Sequence, residues 1–432
     1  MVERKISNLS AGVRFPYPAH MRLPNTTLFI HKIFKNGLFP ESSNRNVFLY
    51  YVIEIALNMW FVEAVWYFYW GRFGSYTFIG LIFSLTSLLQ FFVVIPTGVL
   101  ADMFGQKKSV VVGIGMLFIG SLVIALGATI WQLFFGVIVQ SLGRAFITGA
   151  LDALIFESLK KEGKSDRYTH VVSFDTQMTI LVFAVTASMG GWLYSIHFRL
   201  AHILSAIAAL VAFITSFFLK EVNAKKVYVD HFKSFIIQHR EGFTELLLPQ
   251  MRTFIIPSLV LAVLMRMYDW GISKPTIAVG FGFYVREQSI LFGVSAIVCA
   301  IIVGQLAWFK KRASDFNGVT TLGALVSIGF ILSIIPLGWW GILVVLGIEI
   351  PGRLSYAWIP AIVNKRISST YRATTLSTLE FIGRIPYITL NYLAGIAVDK
   401  KYIGQFHASL GAIGLILLFV WFLAIKKKNS SV

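Results

Sequence analysis

A small set of ionisable side chains interrupts the long apolar runs of this chain. Glu54, Glu63, Arg144, Asp152, Asp175 and Lys274 stand without a local partner, whereas Arg266 and Asp269 are three residues apart and Glu349/Arg353 and Glu380/Arg384 are each four apart. A charge in an apolar medium costs at least about 2.5–3.5 kcal/mol, so each must be paired or face water. Two kinds of chemistry suit such groups: binding and release of a proton or polar ligand, and ion pairs that hold one state closed and break in another. Bond-breaking chemistry is poorly supported. The eight histidines form no HExxH motif, and the single cysteine, Cys299, allows no disulfide or thiolate cluster within the chain. His170-x-x-x-x-Asp175 matches an H-x4-D acyltransferase pattern but has no companion block, and Gly163-Lys164-Ser165 follows Ser158 where a phosphate loop needs glycine. We therefore expect no catalytic residue, no metal and no cofactor, with a membrane-embedded enzyme as a remote alternative.

Helical spacing sorts these groups. Each three- or four-residue pair can meet on its own helix, and the Glu349/Arg353 and Glu380/Arg384 pairs fall near the inner ends of their segments. Glu54 and Asn58 share a face, while Glu63, nine residues on, lies about 180° around. Arg144 and Asp152 are about 80° apart, and Asp175 lies at similar depth on the next, antiparallel segment. Asp102, Arg144, Asp152 and Asp175 with nearby lysines are thus expected to form an inner gate, and Glu54 with Asn58 a substrate or proton site. Tyr268 and Trp270, beside Arg266 and Asp269, are candidates for an aromatic pocket, whereas Trp66 to Trp70 are expected to anchor at the outer surface.

The elements that position these groups are bilayer spans. The 432 residues are 56% hydrophobic, 15% aromatic and only 13% charged, with a mean hydropathy of +0.73, which excludes an ordinary soluble fold. A bilayer takes about 20 apolar residues as helix. That length predicts an all-α integral membrane protein with twelve transmembrane helices, near 47–70, 76–100, 109–128, 131–155, 171–194, 200–219, 253–279, 289–308, 317–336, 339–362, 373–397 and 404–425. The net charge of +18 is distributed by loop: 28 Lys and Arg fall on one set and five on the other. Both termini are accordingly expected in the cytoplasm. Charge scattered in this way also argues against nucleic acid as a partner.

The expected organisation is a basic leader (1–45), a six-helix bundle (46–220), a cytoplasmic middle loop (221–252), a second six-helix bundle (253–425) and a basic tail (426–432). In the leader, Phe29, Ile30, Ile33, Phe34 and Leu38 recur at helical spacing beside Lys32 and Lys35; an interfacial helix and an unstructured segment both remain open.

The halves carry an internal echo. Gly98-x-Leu100-Ala101-Asp102 leads into Lys107 and Lys108, and Gly304-x-Leu306-Ala307-Trp308, 206 residues later, leads into Lys310, Lys311 and Arg312. Two pseudo-symmetric bundles around a midplane site are the arrangement transporters use. Gly98-x-Leu100-Ala101-Asp102-x-x-Gly105-x-Lys107-Lys108 resembles the loop signature of the major facilitator superfamily. "IPTGVLAD", "GALDALIFESLKKEG" and "YRATTLSTLEFIGR" resemble its bacterial drug-exporter-like branch. The chain departs from that pattern at Met103 and Gln106, which replace arginines, at Val94, and at Thr186 and Ala187, which replace Gly-Pro before Gly190 and Gly191. The resemblance implies a secondary transporter of the cell membrane. It would act as a monomer, exporting small amphipathic compounds in exchange for protons, with Arg144 in coupling. Import of a sugar, amino acid or other nutrient is the alternative.

Overall fold

The computed structural model describes residues 40–222, 240–368 and 371–430. Side chains of 91–104, Ala373 and 427–430 lie outside the described set, as do the proposed leader helix and most of the middle loop. The described residues are helical without strands. The first half contains α1 (Arg45–Leu57), α2 (Trp66–Trp70), α3 (Tyr76–Phe104), α4 (Gln106–Leu126), α5 (Ile130–Ile147), α6 (Ala150–Lys161), α7 (Tyr168–Ile196) and α8 (Leu200–Phe217). The second contains α9 (Pro249–Arg252), α10 (Ile255–Asp269), α11 (Ser273–Gly280), α12 (Val285–Val303), α13 (Leu306–Arg312), α14 (Asp315–Leu332), α15 (Gly341–Arg366), α16 (Arg372–Asp399) and α17 (Ile403–Ser430). Among the described residues, nine helical segments are long and apolar enough to cross a membrane, or ten if the bent pair α10–α11 forms one span.

Four of the expected spans are broken: 289–308 is interrupted between Val303 and Leu306, and the other three each break for a local reason. Span 47–70 stops at Leu57 because Asn58 turns its amide back onto the carbonyl and carboxylate of Glu54, replacing the next helical bonds. Span 131–155 breaks at Gly149, whose φ of +79° is left-handed and readily adopted only by glycine. The seventh span bends by 72° between α10 and α11. There α16 satisfies the freed backbone groups: Tyr387 donates to the Trp270 carbonyl at 2.7 Å and Asn391 accepts from Ile272 N–H at 3.2 Å. Broken helices inside a membrane protein survive only with such partners.

Each half has its own core, one around Val47, Tyr51, Ile114, Leu154 and Ile155 and another around Met265, Tyr268, Phe292, Phe330 and Ile348. Helices α4 and α5 approach through small residues, so a Cβ on Gly113 would lie 2.7 Å from the Gly143 carbonyl. Asn46, Ser158 and Lys220 meet at one end of the first half, here the near end. Tyr69 reaches Ile124 and Arg199 reaches Gly127 at the other, the far end.

The halves meet along α3 with α16 and α7 with α12. Toward the far end, Asp399 on α16 accepts the first backbone N–H groups of α3, from Tyr76 at 3.0 Å and Thr77 at 2.8 Å. Arg286 donates to Ser195 at 2.7 Å. Gly80 fits directly against the Asn391 carbonyl, leaving a Cβ only 2.5 Å of room.

Candidate functional site

Where the broken α1 meets the break between α5 and α6, a cavity of about 410 Å³ opens inside the first half. Its wall carries Glu54, Asn58, Trp60, Ser121, Gln140, Arg144 and Asp152. Each break supplies part of this set: Asn58 and Trp60 come from the irregular segment after α1, Arg144 from the last turn of α5, and Asp152 from the first turn of α6. Asn58 Nδ2 lies 3.3 Å from Glu54 Oε2. The Arg144 guanidinium sits 5.5 Å from the Trp60 ring centre, over its face, and attracts Glu54 across the cavity. Ser121 accepts from Gln140 at 2.8 Å. The lining therefore presents two carboxylates, one guanidinium, amides, a hydroxyl and an indole to one small space, which suits reversible binding of a polar organic ligand or proton.

Asp175 lies behind this wall. It is 7% exposed and accepts from Tyr50 at 3.3 Å, near enough to Glu54 and Asp152 for mutual repulsion. The expected gate is thus divided: Glu54, Asn58, Arg144 and Asp152 share the cavity, while Asp175 is buried beside it and the Asp102 side chain lies outside the described residues.

The second half corrects the expected same-helix pairs. Glu349 does not pair with Arg353, nor Arg266 with Asp269. Arg353 binds Asp269 across α15 and α10 at 2.8 Å, and Tyr356 donates to the same carboxylate at 2.9 Å. Glu349 instead accepts from Lys274 at 3.2 Å and from Tyr268 at 3.4 Å. The bend between α10 and α11 redirects these side chains, so proximity in sequence loses to proximity across the bundle. Glu380 and Arg384 also make no ion pair among the described residues.

Lys274 has a second carboxylate partner from the other half: Glu63, in the irregular segment after α1, lies 2.8 Å away. The ammonium also stands 4.2 Å from the Phe292 ring centre. Glu63–Lys274–Glu349 is therefore a buried bridge between halves, with the lysine side chain 7% exposed. The partnership was hidden in sequence because Glu63 and Lys274 lie 211 residues apart and both helices carrying them are broken. The aromatic pair does not share a pocket: Tyr268 is fully buried in the second core, whereas Trp270 is 63% exposed.

At the near end, Gly98 lies on α3 outside the described side chains. Gly105 has φ of +100° and starts α4, with Glu221 seated where a Cβ would project. Glu221 accepts from the Lys107 backbone N–H at 3.0 Å, a carboxylate at a helix start; Lys108 is exposed. In the second half the echo is interrupted, since α12 ends at Val303 and α13 is a separate short helix. Asp315 gathers Arg366 at 2.9 Å, Lys310 at 3.8 Å and the Trp358 indole at 3.1 Å there. Neither Glu221 nor Asp315 belonged to a recognisable motif.

Long apolar helices in two cored halves, with broken segments carrying ions into the interior, define a multi-pass membrane protein. Residues 47–389 match the family profile described as Major Facilitator Superfamily, and the chain belongs to that family. It is accordingly a transporter of that type. An uncharacterized transporter of Buchnera aphidicola subsp. Schizaphis graminum (strain Sg) is 27% identical over 221 residues, which is 49% of this chain and 56% of that protein. A second, from Buchnera aphidicola subsp. Acyrthosiphon pisum (strain APS), is 31% identical over 110 residues, covering 25% of this chain and 28% of that one. The matches thus span about half and less than a third of these relatives. In fold, the chain is similar to the crystal structure of nucleoside transporter NupG, with a TM-score of 0.66, 15% identity and coverage of 88% of this chain and 98% of that one. It is also similar to a POT family transporter in complex with a thioalcohol conjugated peptide, with a TM-score of 0.66, 10% identity and coverage of 89% and 96%.

Proposed function

We propose that this protein is a twelve-span secondary transporter of the cell membrane, with both termini cytoplasmic, that works by alternating access and couples solute movement to protons. The observation that carries the reading is the pairing of a polar cavity at broken helices with a far end tied by a buried inter-half ion bridge. An alternating carrier needs both features: a place for solute inside the bundle, and contacts that hold one side shut and exchange for others. The far end is the closed side in this conformation. Glu54 and Asp152 are the proposed proton carriers, because each lies on the cavity wall and neither is in an ion pair among the described residues. Arg144, over Trp60, is the proposed cation that responds to their charge.

Export of small amphipathic compounds remains the leading direction, on the resemblance of "IPTGVLAD" and its companion segments to the drug-exporter-like branch. Import of a polar nutrient is the second reading, favoured by the carboxylates, amides and hydroxyl of the cavity. Purified protein in proteoliposomes, assayed with labelled solutes under an imposed pH gradient, tests both. We expect accumulation that collapses when the gradient is dissipated and falls at least about tenfold in Glu54→Gln or Asp152→Asn. Transport indifferent to the gradient would exclude proton coupling, and the sign of the gradient that drives accumulation separates export from import.

A further inference from the structure

Most of the interior charge is absorbed by the features above; two arginines of the second half are not. Arg266 lies at the middle of the expected span 253–279, on α10, and Arg384 at the middle of α16. The two helices pack closely here: Gly383 leaves its space to Ala262, one turn before Arg266. The Arg266 guanidinium lies 5.6 Å from the ring centre of Tyr387, which follows Arg384 on α16. The two guanidinium groups are near enough to repel one another.

Each carries a buried Nε without a hydrogen-bond partner, and neither forms an ion pair among the described residues. The nearby carboxylates do not relieve this. Asp269 is already taken by Arg353 and Tyr356, and Glu380, one turn before Arg384, is exposed. Two adjacent cations at mid-depth with enclosed, unused donors form an incomplete electrostatic arrangement, because like charges in a poorly solvated place repel and an unsatisfied buried donor is costly. An anion bearing several acceptor oxygens completes it. Guanidinium presents a rigid fork matched to carboxylate or phosphate oxygens, and the Tyr387 ring beneath Arg266 fixes the plane of one fork.

We propose that Arg266 and Arg384 form an anion-binding site for a carboxylate or phosphate group, used by the transported solute. This rests on the transporter reading above and narrows it to solutes bearing such a group. The same chemistry is found on anionic lipid headgroups, so the test separates the two sources. Full-length protein is placed in nanodiscs of phosphatidylcholine alone and titrated with inorganic phosphate or succinate, with chloride at matched ionic strength as the control. A parallel sample contains phosphatidylglycerol and no added anion. Thermal stability is read in every arm for the native protein, Arg266→Gln, Arg384→Gln and the charge-keeping Arg384→Lys. We expect a saturable rise in Tm with phosphate or succinate beyond chloride. Its apparent affinity should weaken about tenfold or more in each Gln variant, the loss of a charged hydrogen-bond partner, and less in Arg384→Lys. A rise confined to the phosphatidylglycerol sample and lost in the Gln variants assigns the same site to lipid and overturns its use by solute. No rise in any arm, or a rise that all variants retain, overturns the site altogether. Anion binding with no transport in proteoliposomes would instead sink the transporter reading and leave the site standing.

Discussion

Replacing Glu63 by Gln removes one charge from the Glu63–Lys274–Glu349 bridge while leaving its shape intact. At 2.8 Å and an effective dielectric constant near 20, the gross attraction between Glu63 and Lys274 is about 6 kcal/mol, and that between Lys274 and Glu349 at 3.2 Å is about 5 kcal/mol. Desolvation offsets most of this, so the net value of one charged hydrogen bond, about 1.5–3 kcal/mol, is the better measure. In Glu63→Gln the lysine keeps Glu349, and the second half should remain folded. What is lost is the tie between halves, which in the proposed cycle holds only while the far end is closed. The closed-to-open ratio should therefore fall by about 10- to 150-fold. Lys274→Gln should behave differently, because it strands two carboxylates; we expect it to destabilise the fold itself by about 3–5 kcal/mol. Spin labels on Ser75→Cys and Lys401→Cys, in a Cys299→Ser background, flank the far-end contact of Asp399 with Tyr76 and Thr77. Pulsed dipolar spectroscopy should show a short distance giving way to a longer one in Glu63→Gln. Equal distance distributions in the native and Glu63→Gln proteins, with Lys274→Gln no less stable than Glu63→Gln, would refute the bridge as a far-end latch.

Two further substitutions probe how the fold builds its breaks and its seam. Gly149→Val meets no neighbouring atom but forces a branched residue to φ of +79°, so thermal unfolding should show a loss of about 1–2 kcal/mol that Gly149→Asn largely avoids. Equal stability of the Val and Asn variants would mean that the break between α5 and α6 does not depend on glycine. Asp399→Ala removes the acceptor for two N–H groups at the start of α3 and should cost about 0.5–2 kcal/mol, with Asp399→Asn recovering much of it. An unchanged Tm in Asp399→Ala would show that water replaces the cap without loss.

The helical class and the family were legible in the sequence because both depend on contiguous features: the run length that a bilayer imposes and a loop signature. Site assembly was legible only where the partners are neighbours on one face. Glu54 and Asn58 met as spacing required, and Arg144 and Asp152 reached the same cavity although the helix between them is broken at Gly149. Spacing failed for Glu349/Arg353 and Arg266/Asp269 because it assumes that a helical pair has no better offer. Asp269 sits at the last residue of α10, and the 72° bend beyond it brings Lys274 rather than another turn of helix toward Glu349.

The breaks explain both the success and the failure. An unbroken helix exposes its charges to whatever lies on one stripe, and its backbone offers no ligand. A break ends one stripe and begins another, and must be supported by groups from a different helix, as Tyr387 and Asn391 support the one after α10. In this protein the breaks after Leu57 and at Gly149 open the cavity, while the first of them and the α10–α11 bend also carry the two ends of the inter-half bridge. Glu54 and Glu63 flank the same break: one faces the cavity and the other reaches the opposite half. In the proposed alternating cycle, a change in that short segment would thus report cavity occupancy to the far-end seam without any intermediary, which is the coupling such a carrier requires.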